Sequence, residues 1–378
     1  MKIVYCINGT CNSGGMERVL ANKANYWVEH GHDVNIITTD QKNHEPFFKL
    51  SSRIKHCDLG VNYSENNDKG LWNKILHYPF KQRKHKKGLT KLLNHLQADI
   101  VISMFDNDVS FVSKIKDGSK KVLEVHFSRL KRLQYRRKGI WKWMDAIRNK
   151  SDLKLVNTFD KFVVLTEEDK VYWGDLPNME VIPNARSFNP AETARLDEKK
   201  AIAIGRYNYQ KGFEYLIDAW KIVYKEHPDW KLDIVGDGEL RMQLQHRINE
   251  NNLSDCVHLK YPTSHIEDVY LQSSILTLSS RYEGLPMVLL EGQAFGLPII
   301  SFACKCGPKD IITHGEDGFL VPEGNVPELA DRIIQLIEDD ELRKKMGQKA
   351  KIHSERFSEP VIMAQWDRLF NNLLNEKS

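Results

Sequence analysis

Short apolar segments alternate with longer helical stretches along almost the whole chain, and they form two successive series. This alternation is typical of parallel α/β sheets, in which a helix crosses back over the sheet after each strand. The apolar segments of the first series are residues 3–7, 34–38, 100–104, 122–125 and 162–165. Those of the second series are residues 201–204, 232–235, 257–259, 275–278 and 299–301. The sequence therefore predicts an α/β protein with two doubly wound, Rossmann-like sheets, which bind ligands at the carboxyl ends of their strands.

The division into two domains is supported by length and by charge. At 378 residues the chain is long for one core, because domains usually contain about 100–200 residues. Residues 183–190 begin and end with proline and separate the two series, so we expect one domain over residues 1–188 and a second over 189–358. Residues 1–190 carry a net charge of +11 and residues 191–378 a net charge of −7, which indicates different partners for the two halves.

Two glutamates, Glu283 and Glu291, bracket a turn and the start of a helix. A short buried strand over residues 275–280 precedes them, Gly284 and Pro286 turn the chain, and residues 287–295 are predicted to be helical. The unpaired N–H groups of such a helix form an anion site beyond the carboxyl end of the strand. One carboxylate could then bind the hydroxyls of a sugar and the other a ribose. A strand–turn–helix corner with two solvated acids is the alternative.

Two other turns could bind phosphate. Arg206 and Lys211, between Gly205 and Gly212, directly follow the first strand of the second series, and together they could neutralise a nucleoside diphosphate. After the first strand of the chain, a turn containing Gly14 and Gly15 precedes an amphipathic stretch. Backbone amides in such a glycine-rich turn can approach a phosphate closely. Exposed, solvated Arg and Lys side chains and a plain flexible turn are the alternatives.

These motifs resemble, in kind and in order, those of the family 4 retaining glycosyltransferases, whose GT-B fold has two Rossmann-like domains facing each other across a cleft. The resemblance covers nearly the whole chain and implies that a final helix within residues 359–378 packs back onto the first domain. It implies that the loop at Gly14 and Gly15 covers the donor diphosphate. It also places His126, which ends a predicted strand, close to the donor sugar.

The same resemblance assigns roles in the second domain. Arg206, Lys211 and the backbone amides that follow Gly284 would hold the diphosphate, while Glu291 would bind ribose hydroxyls and Glu283 the 3- and 4-hydroxyls of the sugar. Gly236 would line the donor pocket, and Tyr261 would lie at the nucleobase, although Lys260 departs from the glycine usual in the family. The residues supplying those amides are Leu285, Pro286, Met287 and Val288, of which proline has no N–H.

The implied activity is transfer of a hexose or N-acetylhexosamine, with retention, from a nucleotide sugar (UDP is expected) to a glycan or lipid-linked acceptor. No obligatory metal and no further cofactor are expected. Two alternatives remain open. A nucleotide-sugar 2-epimerase shares the fold but needs acid and base residues that we cannot place. A non-catalytic nucleotide-sugar-binding protein would keep the basic residues, but the presence of Glu283 argues against it.

Basic segments in the first half suggest a further partner. Residues 81–87 are mostly basic, and residues 129–142 combine Lys and Arg with aromatic residues. This composition suits anionic lipid headgroups, although a solvated helix face is the alternative. No nucleic-acid-binding module is recognisable. The cysteines are scattered without paired zinc spacing, and no apolar run approaches the roughly 18 residues needed to span a bilayer. We therefore expect a cytoplasmic protein that associates peripherally with the inner face of the membrane.

Overall fold

The structure is a computed structural model that describes residues 1–12, 14–66, 71–130 and 139–376. The chain divides into two compact units. The first unit comprises Met1–Leu165, Trp173–Ile182 and Met363–Ser378. The second comprises Thr166–Tyr172 and Pro183–Ile362. Each unit contains one parallel sheet with helices, so the predicted pair of α/β sheets is confirmed.

The first unit is built around a seven-stranded sheet. Its strands are β1 (Lys2–Cys6), β2 (Asp33–Thr38), β3 (Lys55–Asp58), β4 (Ile100–Ser103), β5 (Lys120–Glu124), β6 (Lys161–Val164) and β7 (Met179–Val181). The order across the sheet is β3-β2-β1-β4-β5-β6-β7, and all neighbours are parallel. The helices that follow these strands within the unit are α1 (Gly15–Glu29), α2 (Leu71–Leu96) and α3 (Ile140–Val156). α4 (Glu167–Trp173) follows β6 along the chain, but all of it except Trp173 belongs to the second unit. The order reverses between β1 and β4, which opens a crevice at their carboxyl ends.

The second unit contains a six-stranded parallel sheet. Its strands are β8 (Lys200–Ile204), β9 (Lys231–Val235), β10 (Val257–Lys260), β11 (Ile275–Leu278), β12 (Ile299–Phe302) and β13 (Gly318–Val321). The order is β10-β9-β8-β11-β12-β13, so the corresponding reversal lies between β8 and β11. The helices are α5 (Phe213–Glu226), α6 (Arg241–Glu250), α7 (Ile266–Leu271), α8 (Met287–Ala294), α9 (Pro308–Ile311), α10 (Val326–Glu338) and α11 (Asp340–Ser354), and α12 (Glu359–Asn375) ends the described chain.

All ten strands predicted from apolar segments are present, and the three further strands found in the described residues are edge strands. β3 and β7 form the two edges of the first sheet, and β13 forms one edge of the second. Central parallel strands are covered by helices on both faces and therefore consist of continuous apolar residues. β3 has the sequence Lys-His-Cys-Asp and is exposed throughout, and β7 has only three residues. Strands of this kind carry no hydrophobic signal in the sequence.

The final helix contributes to the core of the first unit. Trp366 and Phe370 of α12 are buried, and the ring of Phe370 lies 5.4 Å from that of Trp27 in α1. Trp27 donates a hydrogen bond of 3.0 Å to the hydroxyl of Tyr5 in β1. The end of the chain is therefore held against the first strand and the first helix by large aromatic side chains, each of which buries about 150–250 Å².

Candidate active site

Lys211 and Glu283 meet at the reversal point of the second sheet. Lys211 follows β8 and Glu283 follows β11. The ammonium of Lys211 donates a hydrogen bond of 2.7 Å to Oε1 of Glu283. Ser280 Oγ also donates to this oxygen, at 2.6 Å, and Gln210 donates to Oε2 at 3.3 Å. Glu283 is only 7% exposed, so its carboxylate is desolvated and held by three donors. The sequence predicted both charged residues but not Gln210 or Ser280.

Close contacts between loops at glycines allow this arrangement. Gly212 has a left-handed backbone (φ 58°) between Lys211 and helix α5, and a Cβ there would overlap the carbonyl oxygen of Ser279. Gly236, which follows β9, lies so close to the carbonyl of Gly205 that a side chain at Gly236 would also overlap it. These glycines therefore bring the loops after β8, β9 and β11 together. Gly236 contributes through this close approach, next to the loop that carries Arg206.

Arg206 differs from the other basic residue of this loop. Its side chain is exposed, and within the described chain it makes neither an ion pair nor a hydrogen bond. Lys211, in contrast, is mostly buried and bound to Glu283. An unpaired guanidinium next to a buried ion pair can bind a phosphate through its planar fork without first breaking a protein contact.

Glu291 lies in α8, where the predicted helix over residues 287–295 is confirmed. It is 8% exposed, and the hydroxyl of Tyr270 donates to its Oε2 at 2.7 Å. The Tyr270 ring is stacked on Phe295, with centroids 5.0 Å apart and an interplanar angle of 13°. Glu291 is thus a buried, oriented carboxylate. Tyr270 was missed because it lies 21 residues earlier, in α7, and nothing in its local sequence distinguishes it from an ordinary core aromatic.

The start of α8 has the features of an anion site. Pro286 is the N-cap, and no side chain caps the helix. Gly284 and Leu285 precede it, and Met287 and Val288 form the first turn. Uncapped N–H groups at a helix start carry partial positive charge. These residues supply the helix start at which the sequence analysis predicts diphosphate binding.

Tyr261 follows β10 and is 64% exposed. The guanidinium carbon of Arg241 lies 3.8 Å above its ring, so the two side chains form a stacked pair. The carbonyl of Lys260, which departs from the family pattern, accepts hydrogen bonds from Tyr207 Oη (2.9 Å) and from the amide of Gly236 (2.9 Å). The backbone before Tyr261 is thereby hydrogen-bonded to the loop that carries Arg206 and to the loop that follows β9.

The remaining predicted residues lie in the first unit. Gly14 is the N-cap of α1, and its carbonyl accepts a hydrogen bond of 3.1 Å from the amide of Arg18. Gly15 begins that helix, and Ser13 lies outside the described residues. His126 follows β5, and its Nε2 lies 3.2 Å from Oε1 of Glu124. His126 therefore lies next to a carboxylate that the sequence interpretation treated only as part of a strand.

Glu124 belongs to a buried ion pair. Lys23 in α1 donates to both of its oxygens, at 2.8 and 2.7 Å, and the lysine ammonium lies 3.5 Å from the ring centre of Trp366. Burial alone would raise the pKa of Glu124, but Lys23 and then His126 lower it to about 2. Burial lowers the pKa of Lys23. The signal for this pair was present in the sequence, because Lys23 lies on the apolar face of α1 with Leu20 and Trp27.

Two groups of carboxylate and histidine side chains contain atoms that could bind a metal ion. Asp106 and Asp108 are two residues apart, a spacing at which carboxylates can share a cation. Both oxygens of Asp106, however, accept hydrogen bonds of 2.8 Å from the amide and side chain of Asn8, and Asp108 is buried with its pKa raised by burial to about 7. Elsewhere in the described residues, only Glu226, His227 and Glu338 bring three metal-capable atoms together, and the two glutamates are exposed.

Two stretches of the chain match known protein families. Residues 185–353 match the family described as glycosyl transferases group 1, and residues 13–187 match glycosyltransferase family 4. An uncharacterized glycosyltransferase of Haemophilus influenzae is 31% identical over 376 residues, covering 97% of this chain and 98% of that protein. The amylovoran biosynthesis glycosyltransferase AmsD of Erwinia amylovora is 29% identical over 385 residues, covering 98% of this chain and 99% of that protein.

A solved structure shows the same fold. It is that of a TarM mutant of S. aureus in complex with fondaparinux, α-GlcNAc-glycerol and UDP. It matches with a TM-score of 0.77 at 18% identity, over 98% of this chain and 99% of that one. The full-length match to a glycosyltransferase and the two family matches agree with the order of the motifs. The chain belongs to the family 4 glycosyltransferases and has the GT-B fold.

Proposed function

We propose that this glycosyltransferase moves a hexose or N-acetylhexosamine, with retention, from a UDP-sugar to a glycan acceptor. The observation that carries the proposal is the grouping of Lys211, Glu283 and the unpaired Arg206 at the reversal point of the second sheet. The presence of UDP in the TarM complex supports the choice of nucleotide. The name of AmsD, which refers to amylovoran biosynthesis, supports a polysaccharide-type acceptor.

The proposed role of the basic residues is to stabilise the leaving diphosphate. Negative charge develops on its oxygens as the bond to the sugar breaks, and fixed positive groups in a desolvated site stabilise that charge most strongly. Arg206 offers two parallel N–H donors and Lys211 a single ammonium, while the first turn of α8 adds backbone N–H groups. Lys211 reaches the diphosphate with a second hydrogen while one hydrogen remains on Glu283, since an ammonium has three donors.

The two glutamates bind the two ends of the donor in this proposal. Glu291 accepts from the ribose hydroxyls, with Tyr270 holding its second oxygen in place. Glu283 accepts from the 3- and 4-hydroxyls of the sugar. Its Oε1 already accepts from Lys211 and Ser280. Among the described residues, Oε2 accepts only the long bond from Gln210, so acceptor capacity remains on that side.

Retention is proposed to occur by attack on the same face of the sugar as the departing diphosphate. The leaving phosphate oxygen then takes the proton of the acceptor hydroxyl, so no protein side chain has to act as a general base. His126, which we place near the donor sugar, would hydrogen-bond a hydroxyl group. We also propose that transfer requires no metal ion, because the cations Arg206 and Lys211 provide the positive charge next to the diphosphate.

The experiment that tests the function is incubation of the protein with a panel of UDP-sugars, alone and with oligosaccharide acceptors, followed by mass spectrometry and by NMR, which distinguishes epimers of equal mass. Transfer gives free UDP and an extended acceptor only when the acceptor is present, and it continues in excess EDTA. A 2-epimerase instead changes the donor without an acceptor, and a binding protein leaves both unchanged. A product whose anomeric configuration is shown by NMR to be inverted would contradict the retaining mechanism.

Glu291→Ala is expected to weaken UDP binding in calorimetry.

Arg206 provides a separate prediction. Arg206→Ala is expected to lower kcat/KM by about 10²-fold, because one charge-assisted phosphate contact in a closed site contributes roughly 2–4 kcal/mol. Arg206→Lys should restore little, since the planar fork is lost. Arg241→Ala, which removes the arginine stacked on Tyr261, is a matched control and should affect the donor KM more than kcat. Activity in Arg206→Lys equal to that of the wild type would show that charge alone is required.

We further propose that the first unit binds an anionic membrane surface, where a lipid-linked acceptor could be reached. Leu76, Phe80, Arg83 and Lys87 recur at intervals of three and four residues on α2, so they share one face, and all four are exposed. Leu76 and Phe80 are 66% and 67% exposed, which is unusual for large apolar side chains.

The basic segment 129–142 is only partly described. Residues 131–138, which include Arg132, Arg136, Arg137 and Lys138, lie outside the described residues. No helix found in the described part of the chain combines the length and apolar character of a membrane-spanning segment.

This membrane proposal predicts two separable effects in vesicle co-sedimentation. Arg83→Ser/Lys87→Ser should weaken binding to anionic vesicles and reduce its salt dependence, because each basic residue near such a surface contributes about 1 kcal/mol, or roughly fivefold in affinity. Leu76→Ser/Phe80→Ser should weaken binding at every salt concentration. Lys344→Ser/Lys349→Ser, on α11 in the second unit, is the control. Equal sedimentation with neutral and anionic vesicles would leave α2 as a solvated surface.

A further inference from the structure

Glu124 is a buried carboxylate at the end of β5 that the proposed mechanism does not use. Lys23 of α1 donates to both of its oxygens, to Oε1 at 2.8 Å and to Oε2 at 2.7 Å. An ion pair of this kind could serve stability alone. The carboxylate has a third neighbour, however, because the ring of His126 lies against Oε1, which Lys23 also uses.

The backbone places Glu124 and His126 side by side. β5 ends at Glu124, but the amide of Val125 still donates to the carbonyl of Val163 in β6 at 3.0 Å, so the chain remains extended beyond the strand. Residues two apart in an extended chain have their side chains on the same face. Glu124 and His126 therefore share the face of the sheet on which Lys23 of α1 packs.

Only one of the two ring nitrogens of His126 is held by the protein. Nε2 lies 3.2 Å from Oε1 of Glu124, is shielded from solvent and has no other partner among the described residues. Nδ1 makes neither a hydrogen bond nor an ion pair within the described part of the chain. Asp106, a second carboxylate that interacts electrostatically with the ring, uses both oxygens to accept from Asn8 at 2.8 Å. Nδ1 is therefore the nitrogen that is available to a ligand.

The charges next to the ring determine which nitrogen carries the hydrogen. Burial raises the pKa of Glu124, but Lys23 and then His126 lower it to about 2, so the carboxylate is ionised at neutral pH. An ionised carboxylate can only accept, so its contact with Nε2 favours the tautomer with the hydrogen on Nε2. Because the Lys23 ammonium already neutralises the carboxylate, the ring does not have to take up a second proton. Nδ1 then remains an acceptor.

The surroundings restrict the movement of all three side chains. Those of Lys23, Glu124 and His126 are 6%, 1% and 7% exposed, and the lysine ammonium lies 3.5 Å from the ring centre of Trp366 in α12. Lys23 belongs to α1, whose N-cap is Gly14, so Glu124 also joins His126 to the helix that follows the glycine loop. A buried carboxylate held by two such bonds can fix an imidazole in one orientation.

We propose that Glu124 is a positioning residue that keeps the hydrogen of His126 on Nε2, so that Nδ1 accepts a hydrogen bond from a hydroxyl of the donor sugar. The orientation of the ring is independent of any activity, whereas its use on the sugar rests on the proposed function. Glu124 does not touch the sugar and acts only through His126.

The first test is the tautomer of His126, measured without substrate by long-range ¹H–¹⁵N NMR of the ¹⁵N-labelled wild-type protein. The measurement is made at about pH 8, where an ordinary histidine is neutral, and the signal is assigned as the one missing in His126→Asn. We expect the Nε2–H tautomer. His258 is an internal control with the opposite outcome, because its Nδ1 lies 3.0 Å from Asp233 and should carry the hydrogen. The Nδ1–H tautomer at His126 would overturn the proposal.

The second test is a double-mutant cycle in the transfer assay. Lys23→Met/Glu124→Leu removes both buried charges together, so neither is left unpaired and the fold should persist. It should lower kcat by about tenfold, which corresponds to one lost hydrogen bond to the sugar, and leave the Kd for UDP unchanged in calorimetry. In the His126→Ala background the same two substitutions should lower kcat by less than about twofold, because Glu124 acts through the histidine. Asp233→Asn, which removes the carboxylate next to His258, is the matched control and should leave kcat unchanged.

The two tests distinguish failure of this proposal from failure of the proposed function. If His126 is the Nε2–H tautomer but the protein transfers no sugar, Glu124 orients the ring and the proposed function fails. If the protein transfers sugar and Lys23→Met/Glu124→Leu lowers kcat equally with and without His126→Ala, Glu124 contributes only to the structure and this proposal fails.

Discussion

The Lys211→Met variant is expected to retain its fold and to lose at least about 10²-fold in kcat/KM with a UDP-sugar donor. Two effects combine in this loss. The substitution removes a cation from the leaving diphosphate, a contact that contributes roughly 2–4 kcal/mol. It also removes the closest charged partner of Glu283, whose carboxylate lies 2.7 Å from the ammonium and is almost fully buried. The loss in kcat/KM of Lys211→Met therefore does not equal the contribution of the diphosphate contact alone.

A double-mutant cycle distinguishes the two effects. Lys211→Met, Glu283→Gln and the double variant should be compared in kcat/KM and in calorimetric binding of UDP, which lacks the sugar. If the pair acts as a unit, the double variant should lose little more than the worse single variant. Lys211→Met should also weaken UDP binding, whereas Glu283→Gln should change it by less than about threefold. Lys199→Met, which breaks an exposed pair with Asp229 in the same unit, is the matched control. Near wild-type turnover in Lys211→Met would remove this residue from the mechanism.

The part of this site that sequence alone could predict is the part that is local in the chain. Arg206 and Lys211 follow one strand within a few residues, and Glu283 and Glu291 follow another. Each group is recognisable because glycine turns, strand ends and helix starts have short-range signatures. The contact between Lys211 and Glu283 joins residues 72 apart, and it depends on β8 and β11 being neighbours in the sheet. Strand order was not contained in the local pattern, so the ion pair could not be predicted.

The fold follows the same rule. Central strands were predicted because burial on both faces requires continuous apolar residues, while β3 was missed because it is an exposed, polar edge. A cavity of about 580 Å³ in the first unit was missed for a related reason. Its residues Asn8, Asp40 and Asn107 are polar side chains in three separate loops, and each one alone is indistinguishable from ordinary loop composition. Only the order of β2, β1 and β4 brings them together.

The Lys23→Met variant is expected to destabilise the first unit by about 3–5 kcal/mol, because it leaves the buried Glu124 carboxylate without its main counter-charge. Both partners are almost fully buried, and the lysine also lies 3.5 Å from the ring centre of Trp366 in the final helix. The loss can be measured as a shift of the denaturation midpoint followed by tryptophan fluorescence, since Trp27 and Trp366 both lie in this core. Lys55→Met, which breaks the exposed pair with Asp33, should cost no more than about 1 kcal/mol.

The pH dependence of stability gives the same pair a second test. The pKa of Glu124 in the folded protein is lowered to about 2 from an ordinary value near 4.5, so folding favours its ionised form. The stabilisation is therefore fully present above about pH 4.5 and is lost as the pH falls towards 2. Glu124→Gln should remove this acid-dependent component. Lys23→Met/Glu124→Gln should recover much of the stability lost in Lys23→Met, because neither partner then leaves a buried charge unpaired. A double variant as unstable as Lys23→Met, or an unchanged acid profile in Glu124→Gln, would show that packing against Trp366 rather than charge determines the effect.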